Sequence, residues 1–350
     1  MIGDVGFLHR TLTGEIAHIV GATDAADSPR GESELSFEER AAARNLILLC
    51  HDCHRKVDSR GMADYYTEEA LAKLKEKHES HVRHATDFST LAPTLVLRLT
   101  ARVRGALAYA TDRQMSESLK AEDLRPGTED ARDSLFDIEL PDPETVDWSW
   151  TRAEGLIADR VEVVRTRSAE GGIGTLAVFA LAPIPTLVLL GYYVDDKSDV
   201  RVMPSMRRDD DARWMWPIDP GDPTRFDVRA NQGRGNADAV LISINVTADV
   251  DRAAIPDRLR ALPEFELFAS TQGPASISSR ESLAAFGASW RGLMARVESE
   301  FHDVQTIHVI AAIPATAAIE LGRAYMKDAQ PEMVIYQREA DGYVAAVTLH

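Results

Sequence analysis

Over the first 86 residues the spacing of apolar positions changes repeatedly, and each change predicts an element. Glu15 to Val20 reads as a short strand. Ser36 opens a helix, Glu39 three residues on completes a capping-box pattern, and Arg44 ends it. Asn45 to Cys50 is a continuous apolar run that suits a second strand, and the residues to about Ser59 suit a helix. Thr67 caps a further helix through about Ala85, with Glu68 and Glu69 in its first turn and Lys75, Lys77 and Arg83 further on, as the helix dipole favours. Leu71, Leu74, His78, His81 and Val82 share a face of it. Residues 87–94 read as a linker, and a new apolar pattern starts at Leu95.

The remainder contains an internal echo. TLAVFALAPIPTLVLLG, Thr175 to Gly191, aligns without gaps on TIHVIAAIPATAAIELG, Thr306 to Gly322, with identities at Thr175/Thr306, Val178/Val309, Ala180/Ala311, Pro183/Pro314, Leu190/Leu321 and Gly191/Gly322. Each copy predicts a strand, a proline at the first turn of a helix and a glycine at its end. Each is followed by another strand candidate, Val200 to Pro204 and Met333 to Tyr336. Strands alternating with helices indicate a parallel sheet, so two related α/β halves are expected, at about 95–236 and 237–350. In such sheets ligands sit beyond the carboxyl ends of the strands.

Composition narrows the partners. At 45% apolar and 27% charged residues the chain is that of an ordinary globular protein. Its formal charge of -17 disfavours nucleic acid unless the basic groups are local. Arg55, Lys56, Arg60, Lys73, Lys75, Lys77 and Arg83 are local, all within the first 86 residues, whereas Asp209, Asp210 and Asp211 lie far away. Gly174 to Val194 carries no charge and is long enough to span a bilayer, but Pro183 and Pro185 interrupt it, and a buried strand running into a buried helix is the preferred reading. The start shows no basic stretch followed by an apolar run, and the two cysteines make no disulfide framework, so a cytoplasmic protein without a membrane span is expected.

Seven of the ten histidines and both cysteines fall within the first 84 residues. Hydrolysing a phosphodiester needs a base to activate water and a metal to neutralise charge on the phosphate. His18 at the end of the first strand suits the base, Asn45 suits a residue that holds the loop or the base in place by hydrogen bonds, and His54 on the following helix suits a metal ligand. With the strings AHI and NLILLCHDCH in the order strand, loop, strand, helix, residues 1–86 resemble the HNH endonucleases and their ββα-metal module. The resemblance implies a divalent metal, Mg or similar. Many HNH proteins place an acidic residue or His directly before the base, where Ala17 stands here. His51, His54 and Asp58 would share one helix face, so His51 or Asp58 is the candidate second ligand, with Glu15 a poorer one. HNH proteins with a pair like Cys50-x-x-Cys53 usually carry another cysteine pair upstream that completes a structural zinc site. Either an amino-terminal piece precedes this sequence, or Cys50 and Cys53 pack; His9 is a further candidate ligand.

Residues 95–350 resemble a SAVED domain through LAVFALAPIPTLVLLGYY, the RWMW string at Arg213 to Trp216, and IHVIAAIPATAAIELGRAY followed by MVIYQR. SAVED domains consist of two fused CARF-like, Rossmann-like halves, in agreement with the echo. HNH followed by SAVED is similar to the effector nucleases of CBASS antiphage systems, which implies binding of a cyclic di- or trinucleotide, assembly of a homo-oligomer (a dimer, larger with ligand) and degradation of double-stranded DNA. For such a ligand the helix starts Pro183 to Thr186 and Pro314 to Thr316 are candidate phosphate seats. Trp148, Tyr192, Trp214 and Trp216 are candidate base-stacking residues. Arg207, Arg208 and Arg213 suit phosphate, and Ser270, Thr271 and Gln272 suit a base edge. Two other readings stay open: a modification-dependent restriction-type nuclease, and a non-catalytic nucleotide-binding or zinc-binding interaction protein.

Overall fold

The computed structural model describes residues 14–25, 27–59, 61–86, 91–103, 105–127, 131–143, 145, 148–195, 199–208, 211–231 and 238–350, without side chains at 80–86, 131–132, 207–208 and 211–212. Two compact units, Met1–Thr90 and Leu91–His350, divide the chain.

In the first unit β1 (Gly14–His18) pairs antiparallel with β2 (Leu46–Cys50), His18 opposite Leu46. Between them lies α1 (Phe37–Ala41), closed at its start by the Ser36–Glu39 capping box that the sequence predicts. The helix stops at Ala41, not Arg44, because the Asn45 amide donates to the Arg40 carbonyl at 2.9 Å and takes over its last turn. Two more helices follow, α2 (His51–Val57) and α3 (Glu68–Thr86). The core is small: Ala17, Ile19, Ile47, Val57 and Leu71. Leu74 and His78, expected beside Leu71, are exposed. The loop between β1 and α1 has little apolar content, and the buried Arg40 organises it by donating to the carbonyls of Gly21, Gly31, Ser33 and Leu35.

The second unit contains two sheets. In the first, β3 (Ala92–Val103) is central; β4 (Ala106–Ala108) is antiparallel to it, and after α4 (Asp112–Ala121) the strands β5 (Leu124–Pro126) and β6 (Leu135–Glu139) run parallel to it. Helix α5 (Trp150–Gly171) crosses to β7 (Thr175–Ala180), and α6 (Ile184–Val194) leads to β8 (Asp199–Met203), extending a parallel order β6-β3-β7-β8. The hairpin of β9 (Met206–Arg208) and β10 (Asp211–Arg213) follows.

The second sheet has the order β11-β13-β12-β14-β15-β16. Its strands are β11 (Phe226–Asn231), β12 (Ala239–Asn245), β13 (Glu264–Ala269), β14 (Thr306–Ala312), β15 (Glu332–Glu339) and β16 (Gly342–Leu349), with the inner four parallel and both edges antiparallel. The short α7 (Asp257–Arg260) precedes β13, the long α8 (Arg280–Glu300) joins β13 to β14, and α9 (Ala315–Arg323) joins β14 to β15. The inner order β13-β12-β14-β15 therefore repeats β6-β3-β7-β8, with the long crossover helix at the same step. Both echo segments fold as the same strand-helix unit, β7-α6 and β14-α9.

Three expectations need correction. Strand β3 begins at Ala92, inside the stretch 87–94 read as a linker, because Ala92–Thr94 ladder with β5. Strand β11 already belongs to the second sheet, so the halves part before Phe226 and not at 236. Gly191 and Gly322 do not end their helices but lie inside them, where α6 and α9 cross. A Cβ at Gly191 would stand 2.0 Å from the Ile319 carbonyl oxygen, and one at Gly322 would stand 1.9 Å from that of Val188. At the 131-residue offset of the echo these contacts are reciprocal, so the two halves meet about a local two-fold. The uncharged stretch Gly174 to Val194 is β7 followed by α6, and no described helix is long and apolar enough to cross a membrane.

Candidate functional site

The hairpin of the first unit is closed by Asn45. Its buried side chain accepts from the Val20 amide at 2.8 Å and donates to the Val20 carbonyl at 2.9 Å, in addition to the Arg40 carbonyl. Its own backbone carbonyl takes the Ile19 amide at 2.8 Å. The β1 ladder therefore stops at His18 and the chain bends into the loop.

Period-two alternation puts Glu15 and the buried Ala17 on the face of β1 that meets α2, with the exposed Ile16 on the other. Glu15 binds both helix histidines, with Oε1 2.8 Å from His51 Nδ1 and Oε2 2.7 Å from His54 Nδ1. Asp58 Oδ2 lies 3.2 Å from His54 Nε2. The hydrogen bonds of His51 and then His54 hold the Glu15 carboxyl below its usual range. The structure thus brings together Glu15, His51, His54 and Asp58, and promotes Glu15 from poorer candidate to centre. Ala17 shows why: the position before His18 faces the core, and Glu15 supplies a carboxylate on that same face. His18 is partly exposed at the strand end, and its ring makes no hydrogen bond among the described residues.

The donor types, two imidazoles and two carboxylates, suit a divalent cation. They are paired with one another here, and no group of three or more His, Cys, Asp or Glu among the described residues surrounds a common centre. Cys50 and Cys53 are free and exposed. Cys50 stands at the start of α2, where hydrogen bonding from Cys53 lowers its thiol pKa and raises that of Cys53. They offer two of the four ligands of a closed zinc site, and no described side chain completes it. His9 lies outside the described residues.

In the second unit Pro183 and Pro314 sit at the starts of α6 and α9, beyond the carboxyl ends of β7 and β14. Thr186 and Thr316 are buried, and Thr186 Oγ1 donates to the Pro183 carbonyl at 2.6 Å, so its hydroxyl serves the helix start itself. Trp148 is half-buried, edge-on to Trp150 at 5.1 Å. The expected stacking role of Trp214 is corrected: the ring is 2% exposed, 5.9 Å from Phe179 and packed among Val96, Met115 and Met203, so its faces are occupied. Trp216 packs half-buried against the main core. Tyr192 is corrected as well. It lies roughly 12 Å along α6 from the helix start, donates to the His350 carbonyl at 2.9 Å, and carries the Lys327 ammonium 3.9 Å over its ring. Gln272 is exposed and donates to Asp249 Oδ1 at 2.7 Å. The side chain of Arg207 lies outside the described residues, while Arg213 lines a cavity of about 410 Å³ with Arg113 and Met215.

A larger cavity, about 750 Å³, opens on the face of the second sheet formed by β11, β13 and β12. A parallel sheet buried on both faces reads as apolar. Here Ser243, Asn245, Glu264 and Glu266 interrupt one face. Arg252 grips Glu264 with two bonds of 2.7 and 2.6 Å, Ser243 adds one of 2.8 Å, and Asn245 and Arg229 donate to Glu266 at 2.7 and 2.9 Å. Burial opposes ionisation of Glu264 most strongly, yet the Arg252 fork and the Ser243 hydroxyl outweigh it and hold the carboxyl below its usual range. Its contribution is therefore present above the ordinary carboxylate value of 4.5 and is lost as pH falls through the lower folded value. Glu264→Gln is expected to cost about 1–2 kcal/mol at neutral pH, moderated by the exposure of Arg252. Urea unfolding of both proteins at pH 7 and pH 3 checks this, the difference narrowing at pH 3. The interrupted alternation in AVLISIN and EFELFA was the available sequence signal for this network.

Fold and duplication define a class: an α/β protein of two fused lobes with a small helix-hairpin unit ahead of them. The profile of the family described as "SMODS-associated and fused to various effectors sensor domain", SAVED, matches residues 157–349, and the chain belongs to that family. Among solved structures it is similar to the Cap4 SAVED/CARF-domain containing receptor of Acinetobacter baumannii with the cyclic trinucleotide 2'3'3'-cAAA, at a TM-score of 0.50 and 12% identity over 85% of this chain and 60% of that one. The same receptor with 3'3'3'-cAAA matches at a TM-score of 0.49 and 11% identity, with the same coverage. The Moraxella osloensis Cap4 receptor matches at 0.42 and 14%, over 90% and 63% of the two chains. The chain therefore spans about 60% of the length of these receptors. No curated protein matches it.

Proposed function

We propose that this protein is a metal-dependent HNH-type endonuclease for double-stranded DNA, switched on by a cyclic di- or trinucleotide in antiphage defence of the CBASS kind. The observation that carries the chemistry is the Glu15, His51, His54 and Asp58 constellation on a hairpin closed by Asn45. The control half rests on membership of the SAVED family and on the fold shared with a receptor solved with a cyclic trinucleotide.

His18 takes the proton from the attacking water at the strand end. Glu15 with the two helix histidines would hold a divalent metal, which would neutralise charge on the phosphate and leaving oxygen. Asp58 orients the His54 ring from its other nitrogen. Arg55, Lys56 and Lys73 in and near α2 and α3 give local positive charge for the DNA backbone in a chain that is acidic overall. A homo-oligomer is part of the proposal, because it would present one site to each strand.

Purified protein is expected to leave plasmid DNA intact until both Mg²⁺ and one member of a cyclic di- and trinucleotide panel are added, with a shift to larger assemblies on sizing. Full-rate cutting without nucleotide would remove the control half. Nucleotide binding without cutting under any metal would leave a non-catalytic binding protein.

A further inference from the structure

Arg30 lies in the loop between β1 and α1, and its side chain is only 7% exposed. Its guanidinium reaches two elements. Towards β1, Nε donates to the Ile19 carbonyl at 2.7 Å and Nη2 to the His18 carbonyl at 3.2 Å. Towards α2, Nη1 donates to the Val57 carbonyl at 3.0 Å and Nη2 also to Asp58 Oδ1 at 2.9 Å. Asp58 then offers its second oxygen to His54 Nε2 at 3.2 Å. A continuous set of contacts therefore runs from the backbone of His18 through Arg30 and Asp58 to the ring of His54.

Two features separate this from ordinary loop stabilisation. The backbone of Arg30 is left-handed, φ 52°, a region that disfavours a residue with a Cβ by about 1 kcal/mol. A turn alone is better served by glycine, and the contacts of the Arg30 head group offset that cost. The neighbouring arginine provides the contrast: Arg40 bonds only loop and helix-start carbonyls, whereas Arg30 joins the strand carrying His18 to the helix carrying His54.

We propose that Arg30 is a positioning residue that fixes the end of β1 against the end of α2 and, through Asp58, sets the orientation of the His54 imidazole. The proposal rests on the nuclease reading for its consequence. Lysine cannot replace it, because one ammonium nitrogen cannot span acceptors on two elements as the planar fork does.

The test uses the full chain with Arg30→Lys, Arg30→Gly, which relaxes the left-handed backbone, and Asp58→Asn, which leaves Arg30 and the loop in place. Mn²⁺ binding is measured by calorimetry, the Mn²⁺ concentration for half-maximal DNA cutting in the activated protein, and the ring nitrogen resonances of His54 by NMR. All three variants are expected to weaken Mn²⁺ binding by about 10–100-fold, as loss of an outer-shell partner does, to raise the half-maximal Mn²⁺ accordingly, and to shift the His54 resonances. A residue that only stabilises the loop would lower the melting temperature and leave Mn²⁺ dependence and ring resonances at wild-type values, and that result overturns the proposal. Should Arg30→Gly not fold, Arg30→Lys and Asp58→Asn decide in the same way. If the wild-type protein cuts no DNA while the His54 resonances respond to the variants, the positioning role stands and the nuclease reading falls.

Discussion

His18→Ala is expected to lower the rate of nucleotide-activated DNA cutting by about 10²–10⁴-fold, the range that a positioned general base contributes. An imidazole can accept a proton from water where a carboxylate is too weakly basic. His18 stands where the β1 ladder ends, with its backbone held by Arg30 and the next amide held by Asn45, and its ring left without a hydrogen bond among the described residues. Single-turnover plasmid cleavage at saturating nucleotide measures the loss, and calorimetry with the same nucleotide is expected to give an unchanged affinity, since the sensor family match begins at residue 157. Retention of a tenth of the wild-type rate would take His18 out of the chemistry.

Gly322→Val is expected to destabilise the second unit by about 3 kcal/mol or more, the upper range for overpacking a rigid contact. The neighbour that its Cβ would meet, at 1.9 Å, is the Val188 carbonyl oxygen of the opposite helix, not the movable end of a side chain, so α6 and α9 must separate. Escape from glycine inside a helix favours folding by only about 1 kcal/mol, which cannot offset that. Gly191→Val is expected to act alike, because its contact with Ile319 is the mirror of the first. Gly292→Ala in α8 is the control: its Cβ would meet nothing within 4 Å, so the propensity term stands alone and stability rises by up to about 1 kcal/mol. Urea unfolding of the three variants, followed by far-UV circular dichroism, measures all of these. Equal, small changes at Gly322 and Gly292 would show that the halves do not meet through the α6–α9 crossing.

The sequence carried the local signals well. The Ser36–Glu39 capping box, the strand-loop-strand-helix order around His18, Asn45 and His54, and the two echoing strand-helix units all depend on neighbours a few residues apart, which periodicity and capping chemistry record directly. What escaped it depends on partners distant along the chain. Glu15 looked like a poor ligand because its relation to His51 and His54 exists only once β1 and β2 pair. Arg30 and Arg40 carried no signal in the sequence, since nothing local reveals that carbonyls distant along the chain converge on a guanidinium. Trp214 resembled a stacking residue because an aromatic beside arginines reads alike in a core and in a binding site, and only packing against Phe179 distinguishes them.

The paired glycines divide the two kinds of information most clearly. From sequence alone came the duplication, the α/β character of both halves, the order of the HNH-like strings and the placement of the histidines at one end. Each of these is written in residue type and spacing. The tertiary structure decided that Gly191 and Gly322 mark a crossing and not helix ends, that Glu15 is the hub of the histidine cluster, and that the helix-start threonines are buried. These outcomes turn on which distant surfaces come within van der Waals or hydrogen-bond distance, a quantity that no local pattern encodes.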